Sequence, residues 1–312
     1  TRDGLLWVVT ARRIFRVLPR RLPFRKVPFP DDIWPVTYVG ISEPIVSFDG
    51  TVYFHTQSGL QPVLEQEKEP IGIVLKDEDF VVPPMRESGW EPSVEYVKAR
   101  SGFKFVVSPD RQQLWLAIYQ YPFEIKWYGY DKSGERVYEY ACRGWNTCFN
   151  DHLTDMDMAQ DGRIWLAGWA GVSCFDPEEK AFHNLRVKDG LPERNAISIL
   201  CSSDGSIWVG FNTAGLVRYD PESDCFDYYR HDEEVVGSLS SDYLVQDLLE
   251  DQSGNIWIST NNGLNRFNPA TNTFELYHEA EGLPSAQIGM LKEDLDGGLW
   301  ISAGHNLSYY DR

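Results

Sequence analysis

Between Asp242 and Glu279 the chain alternates apolar runs with turn residues. It reads Leu244-Val-Gln-Asp-Leu-Leu249, a turn at Asp251 to Asn255, Ile256-Trp-Ile-Ser-Thr260, a turn at Asn261 to Gly263, Leu264-Asn-Arg-Phe267, Asn268-Pro-Ala270 and Thr273-Phe-Glu-Leu-Tyr277. The runs are short, rich in aliphatic, β-branched and aromatic residues, and bounded by Gly, Asn, Asp and Pro, so they predict four successive strands. The preceding stretch fills the same four slots with Ile197-Ser-Ile-Leu200, Ser206-Ile-Trp-Val-Gly210, Gly215-Leu-Val-Arg-Tyr-Asp-Pro221 and Cys225-Phe-Asp-Tyr-Tyr229.

One phrase marks every copy: a polar turn, often Asp-Gly, then an aliphatic residue, then Trp. It recurs at Trp7, Trp115, Trp165, Trp208, Trp257 and Trp300, with Tyr53 in the remaining copy, at steps of 46, 62, 50, 43, 49 and 43 residues. Four strands in a repeat of this length form the blade of a β-propeller. The Asp-x-x-Gly tetrads fit the first-to-second turn, where Gly takes a positive φ and Asp bonds the backbone two residues on. Asp-Pro or Asn-Pro at 176-177, 220-221 and 268-269 stops the third strand, because Pro has no N–H for the ladder. The Trp side chains are expected between neighbouring blades, their N–H groups reaching carbonyls. The predicted fold is all-β, a propeller of four-stranded antiparallel blades, seven in number with irregular closure. It forms one domain over 1-312, with repeat units near 1-30, 31-82, 100-143, 150-188, 194-232, 242-280 and 285-312.

The run Ser238-Leu-Ser-Ser-Asp-Tyr-Leu-Val-Gln-Asp-Leu-Leu-Glu-Asp-Gln-Ser-Gly-Asn-Ile-Trp-Ile-Ser-Thr-Asn-Asn-Gly-Leu-Asn-Arg-Phe-Asn-Pro269 resembles the repeat of the two-component regulator propellers, as does Gly-Leu-Pro at 190-192 and 282-284. The resemblance is strong over roughly 155 to 312 and weak over 30 to 150. It implies the sensor portion of a bacterial membrane-spanning histidine kinase or diguanylate cyclase, and hence a periplasmic or extracytoplasmic location. Such propellers are similar in outline to streptogramin lyases, which share the fold but are enzymes.

Composition leaves that picture standing. A chain with 42% hydrophobic and 14% aromatic residues can bury a stack of sheets. No run of 18 apolar residues is present to span a membrane, and with Thr at position 1 and no signal peptide the chain reads as a processed or excised piece. The net charge is −18, yet Arg12, Arg13, Arg16, Arg20, Arg21, Arg25 and Lys26 form a strip without an acid. The acidic body disfavours nucleic acid. The strip could dock an anionic ligand, but it reads better as an alternating strand pair with solvated charges. Of five Cys, Cys142 and Cys148 could bridge in an oxidising compartment, while isolated thiols are the expectation.

Catalytic motifs are missing: the sequence has no Gly-x-Ser-x-Gly, His-Glu-x-x-His, phosphate loop or Cys-x-x-Cys. Asp155-Met-Asp157 hints at a calcium loop but lacks its further ligands, and a first strand explains it better. The acid pairs Glu250-Asp251 and Glu293-Asp294 recur from copy to copy, which suits a turn role. No catalytic residue, metal or cofactor is therefore expected. The loops from second to third strand and from fourth to first should share one face, and they vary between copies as a binding face does. The candidate ligand residues there are Trp169, His152, Arg194, Asn195, Asn212, Asn261, Asn262, His305 and Asn306, aromatics and amides that suit a small molecule, glycan or protein ligand. The expected function is non-enzymatic recognition by a sensor propeller, dimerising through a larger parent protein. The alternative is a lyase or other hydrolytic enzyme with His305 or His152 as base.

Overall fold

The computed structural model describes residues 6–10, 13–17, 25–27, 45–46, 52–56, 59–62, 101–110, 112–120, 124–131, 135–143, 152–293, 298–303 and 306–310. The chain divides into two compact units, Thr1–Asn150 and Asp151–Arg312. In the first, β1 (Leu6–Thr10), β2 (Arg13–Val17) and β3 (Arg25–Val27) form one antiparallel sheet. A second contains β4 (Ile45–Val46), β5 (Val52–Thr56) and β6 (Gly59–Pro62). The third has four strands, β7 (Ser101–Val107), β8 (Gln113–Gln120), β9 (Glu124–Asp131) and β10 (Arg136–Arg143), with Trp115 buried on β8 against Tyr138. The basic strip supplies the pair β2 and β3, as its alternation predicts. Cys142 on β10 is disulfide-bonded, which corrects the expectation of an isolated thiol there; Cys148 lies outside the described residues.

The second unit repeats one design. Its meandering antiparallel sheets are β11 (Leu153–Met158), β12 (Ile164–Gly168), β13 (Gly171–Asp176) and β14 (Ala181–Leu185); β15 (Ala196–Cys201), β16 (Ile207–Phe211), β17 (Leu216–Asp220) and β18 (Cys225–Tyr229); β19 (Asp247–Glu250), β20 (Ile256–Thr260), β21 (Gly263–Asn268) and β22 (Thr273–Tyr277); and β23 (Ile288–Glu293), β24 (Leu299–Ala303) and β25 (Asn306–Tyr310). Each third strand that meets an Asp-Pro or Asn-Pro pair ends on the residue before the proline. The Gly of each Gly-Leu-Pro closes a short 3-10 turn with positive φ, 123° at Gly190 and 101° at Gly282.

The first-to-second turns follow the Asp-Gly reading closely. Gly162, Gly205 and Gly254 have φ of 86°, 88° and 78°, a region that costs glycine nothing. Asp161 Oδ1 accepts the Arg163 N–H at 3.0 Å, and Asp204 Oδ1 accepts the Ser206 N–H at 2.9 Å. In the next turn the carboxylate moves two residues earlier. Asp251 Oδ1 accepts from the N–H groups of Ser253 and Asn255 at 2.8 and 3.0 Å, while Oδ2 takes the Trp257 indole N–H at 2.8 Å. The Trp N–H therefore meets a carboxylate, where a carbonyl was expected. At Trp165 the same position in the turn is Ala159, and the buried indole N–H has no partner.

Between sheets, apolar packing and hydrogen bonds act together. Trp165 packs with Ile199, Ile207 and Tyr219 of the following sheet. Trp208 does so with Leu248, Ile256 and Phe267, and Trp257 with Ile288, Leu291 and Tyr310. Each indole is nearly or fully buried, and its area makes the seam the main hydrophobic term. Across two sheets the Trp heads a row, Trp208–Arg218–Asp227 and Trp257–Arg266–Glu275, in which the guanidinium lies over the indole at 5.9 and 5.5 Å. These half-exposed cations add little energy, on the order of 1 kcal/mol or less, but cover the ring.

The first strands of successive sheets run side by side, and carboxylates from one cap the free N–H groups of the next. Asp155 and Asp157 accept from the N–H groups of Ile199 and Cys201 at 2.9 and 2.8 Å, and Asp247 accepts from Leu291 N–H at 2.7 Å. Hydroxyls use the carbonyls: Thr154 donates to Ala196 O at 2.9 Å and Ser198 to Val245 O at 2.8 Å. Gly210 makes room for this approach, since a Cβ there would lie 2.5 Å from Val245. Glu250 and Glu293 reach the turn of the sheet before, at Ser203 N–H and Gln252 N–H, so each joins two turns. Asp155-Met-Asp157 is thus strand and seam, as favoured over a calcium loop.

Two outcomes follow for stability. Asp251→Ala leaves the Trp257 indole and two turn N–H groups without an acceptor, and should cost about 2–3 kcal/mol in urea unfolding. Burial opposes ionisation of Asp251, but the Trp257, Asn255 and Ser253 donors outweigh it and hold its carboxyl below the usual range. That advantage over the alanine variant is complete above about pH 4 and lost at lower pH. At Asp157 burial dominates the Cys201 and Met158 N–H bonds and pushes the carboxyl up to about 6. The folded chain then binds this proton more tightly than the unfolded one, so the site stabilises more as pH falls from about 6 to 4 and less as it rises. The melting temperature of wild type relative to Asp157→Asn should rise over that interval; a constant difference contradicts the assignment.

Candidate functional site

The loops at one end of the second unit's strands are tied together by backbone hydrogen bonds. Trp169 N–H, in the β12–β13 loop, donates to His152 O ahead of β11 at 3.2 Å; Asn212 N–H donates to Asn195 O at 3.1 Å. Links also run to the following sheet: Leu244 N–H to Asn212 O at 2.9 Å, Gly215 N–H to Asp242 O at 3.0 Å and Gly263 N–H to Ala286 O at 2.7 Å. The second-to-third and fourth-to-first loops therefore do share a face within this unit, which is where the sequence placed the binding residues.

The candidate residues separate into kinds. His152 and Trp169 come together, ring centroids 4.9 Å apart and tilted by 42°, and Trp169 remains 53% exposed. A tryptophan with that much ring in water, held by a neighbouring ring, is not part of the core. Arg194 and Asn195, ahead of β15, are exposed, and Asn212 is half-buried. Asn262 is a loop anchor, donating through Nδ2 to Ser240 O at 3.1 Å and through its backbone to Thr260 Oγ1. Asn261 turns its side-chain oxygen into the protein without a partner. Asn306 begins β25 in register with Ala303, and His305 lies outside the described residues.

One stretch was read differently from sequence. Leu244 opens the first predicted strand of its unit, but β19 begins at Asp247, and Leu244 is exposed with φ of 53° beside Tyr243, 58% exposed. Nothing in Tyr-Leu-Val marks a left-handed residue, because periodicity alone cannot show where a strand yields to its loop. Toward the other ends of these strands lie inert thiols: burial pushes Cys174 up to about 12 and Cys201 well above its ordinary value. Among the described residues no group of three or more His, Cys, Asp or Glu side chains gathers as a metal site would require, and no helix is long and apolar enough to cross a membrane.

The successive four-stranded antiparallel sheets, joined through first strands and Trp seams, define a β-propeller, an all-β fold. Residues 238–262 match the family model described as Two component regulator propeller, the repeat that the sequence of this stretch resembles. Among solved structures, the extracellular domain of a protein named as a hybrid two component system from B. thetaiotaomicron is similar with a TM-score of 0.68 and 17% identity, over 99% of this chain. The chain spans only 38% of that structure's length. Virginiamycin B lyase from Staphylococcus aureus is similar with a TM-score of 0.50 and 10% identity, over 68% of this chain and 70% of the lyase. At such identities the likeness is one of fold. None of the curated proteins matches the chain.

Proposed function

We propose that this propeller is the recognition part of a bacterial signalling protein, located outside the cytoplasm, whose loops bind a small molecule, glycan or protein without turning it over. The half-exposed Trp169 packed against His152 carries the reading, with the exposed Arg194 and Asn195 supplying polar contacts on the next sheet. Rings take a sugar or peptide face, and amides and guanidinium fix its orientation. The disulfide at Cys142 supports an oxidising compartment, and the similar structure from B. thetaiotaomicron is an extracellular domain. The sequence holds no Gly-x-Ser-x-Gly, His-Glu-x-x-His or phosphate-loop motif, so recognition is favoured over lyase chemistry.

A thermal-shift screen of mono-oligosaccharides, longer glycans and peptides tests this. A ligand at about a hundred times its dissociation constant stabilises by about 2.7 kcal/mol, raising the melting temperature by a few degrees. Trp169→Ala should abolish the shift while the ligand is recovered unchanged. A shift that survives in Trp169→Ala, or consumption of the ligand, contradicts the proposal.

A further inference from the structure

The connection from β18 to β19, residues 230–246, is 17 residues long, where the corresponding connections at 186–195 and 278–287 have ten. Its extra length does not go into the core. Val235, Val236, Tyr243 and Leu244 are 53%, 103%, 58% and 36% exposed, four large apolar side chains given to water by one loop. A mobile loop would hide such residues intermittently, but this one is pinned. The Asp232 N–H donates to Ser238 Oγ, and Ser238 Oγ donates to Asp232 O, at 3.1 and 2.9 Å. The Phe274 N–H of edge strand β22 donates to Gly237 O at 3.3 Å. His231 N–H donates to Asp242 Oδ1 at 2.7 Å, bringing the start of the connection to its far end.

Below Tyr243 a buried polar network fixes the backbone. Ser240 N–H donates to Asn265 Oδ1 at 2.9 Å, Asn265 Nδ2 to Ser240 Oγ at 2.8 Å, and Ser240 Oγ lies 3.0 Å from Thr260 Oγ1. In the preceding sheet the positions of Thr260 and Asn265 are Phe211 and Val217, so the network serves this connection and not the fold in general. Leu244 sits above it at φ 53°. Lys180, Asp224 and Asn272, the other non-glycine residues of positive φ among those described, all lie in third-to-fourth hairpin turns. A leucine is strained in that conformation, and its side chain is nevertheless turned outward.

Charge defines what could cover this surface. Asp232, Glu233, Glu234 and Asp242 flank the apolar residues, and Asp151–Arg312 as a whole carries 28 acidic against 10 basic side chains. We infer that the connection is a docking surface for a cationic polypeptide segment bearing apolar side chains between Lys or Arg residues. The apolar groups would meet Val235, Val236, Tyr243 and Leu244, and the cations the flanking carboxylates. This surface includes none of Trp169, His152, Arg194 and Asn195, and its use does not depend on a ligand at Trp169.

Fluorescence anisotropy of the full chain with two labelled synthetic peptides, one alternating Lys and Leu and one alternating Glu and Leu, tests the assignment. The Lys-Leu peptide should bind, more weakly in high salt, and Tyr243→Ala and Val236→Asp should each weaken it about tenfold. Leu244→Gly should raise the melting temperature, by removing the strain, while weakening the peptide. Trp169→Ala should leave peptide affinity unchanged. Failure of the Lys-Leu peptide to bind, equal binding of the Glu-Leu peptide, wild-type affinity in the Tyr243 and Val236 variants, or loss of affinity in Trp169→Ala would each overturn the inference.

Discussion

A sheet laid beside another through its first strand has a row of backbone N–H groups at that edge, too near the neighbour to be left to water and too far to join its ladder. Here the problem is solved by side chains of the preceding first strand. Asp155, Asp157 and Asp247 each send a carboxylate to the N–H of a residue 44 positions on, one repeat away. The same carboxylates accept their own neighbours' N–H groups at Met156, Met158 and Leu248, which fixes their rotamers before they reach across. Burying such acids is costly without donors, and the donors come only from the adjacent sheet. Sheet and seam are therefore specified together, with the indoles of Trp165, Trp208 and Trp257 supplying the apolar area outside this inner line.

That division explains which features could be read from the chain. The four-stranded sheets of the second unit, its Asp-Gly turns and the packing of Trp165, Trp208 and Trp257 between sheets follow from local rules and recurrence, and they are found where the pattern put them. The seam carboxylates were visible only as acids in a strand. Their partners are backbone groups a repeat away, and backbone groups have no sequence signature. The acid of the turn before Trp257 shows the limit from another side. Asp251 takes an indole N–H because it stands where Ala159 and Ser202 stand in the sister turns, a difference of one residue in an otherwise shared phrase. Cys142 was misread because spacing alone ranks a five-residue loop no higher than two separate thiols.

The loops were legible in location but not in detail. His152 and Trp169 are adjacent, as their places on converging loops suggested, whereas Asn262 belongs to the anchoring network of Ser240 and Thr260. An asparagine in a turn reads alike whether it faces a ligand or its own backbone. Tyr243 and Leu244 escaped notice because an apolar pair ahead of a strand looks like the strand itself. What the rigid seams provide is a fixed base for such loops, so that a long connection can hold apolar side chains in water without unravelling.

Native-state hydrogen exchange at the first strands tests the seam most directly. If the carboxylates cap these edges, the N–H groups of Ile199, Cys201 and Leu291 exchange as slowly as the paired N–H groups of β16 and β20. Exchange at the rate of an open sheet edge, with the ladder still protected, would contradict the account.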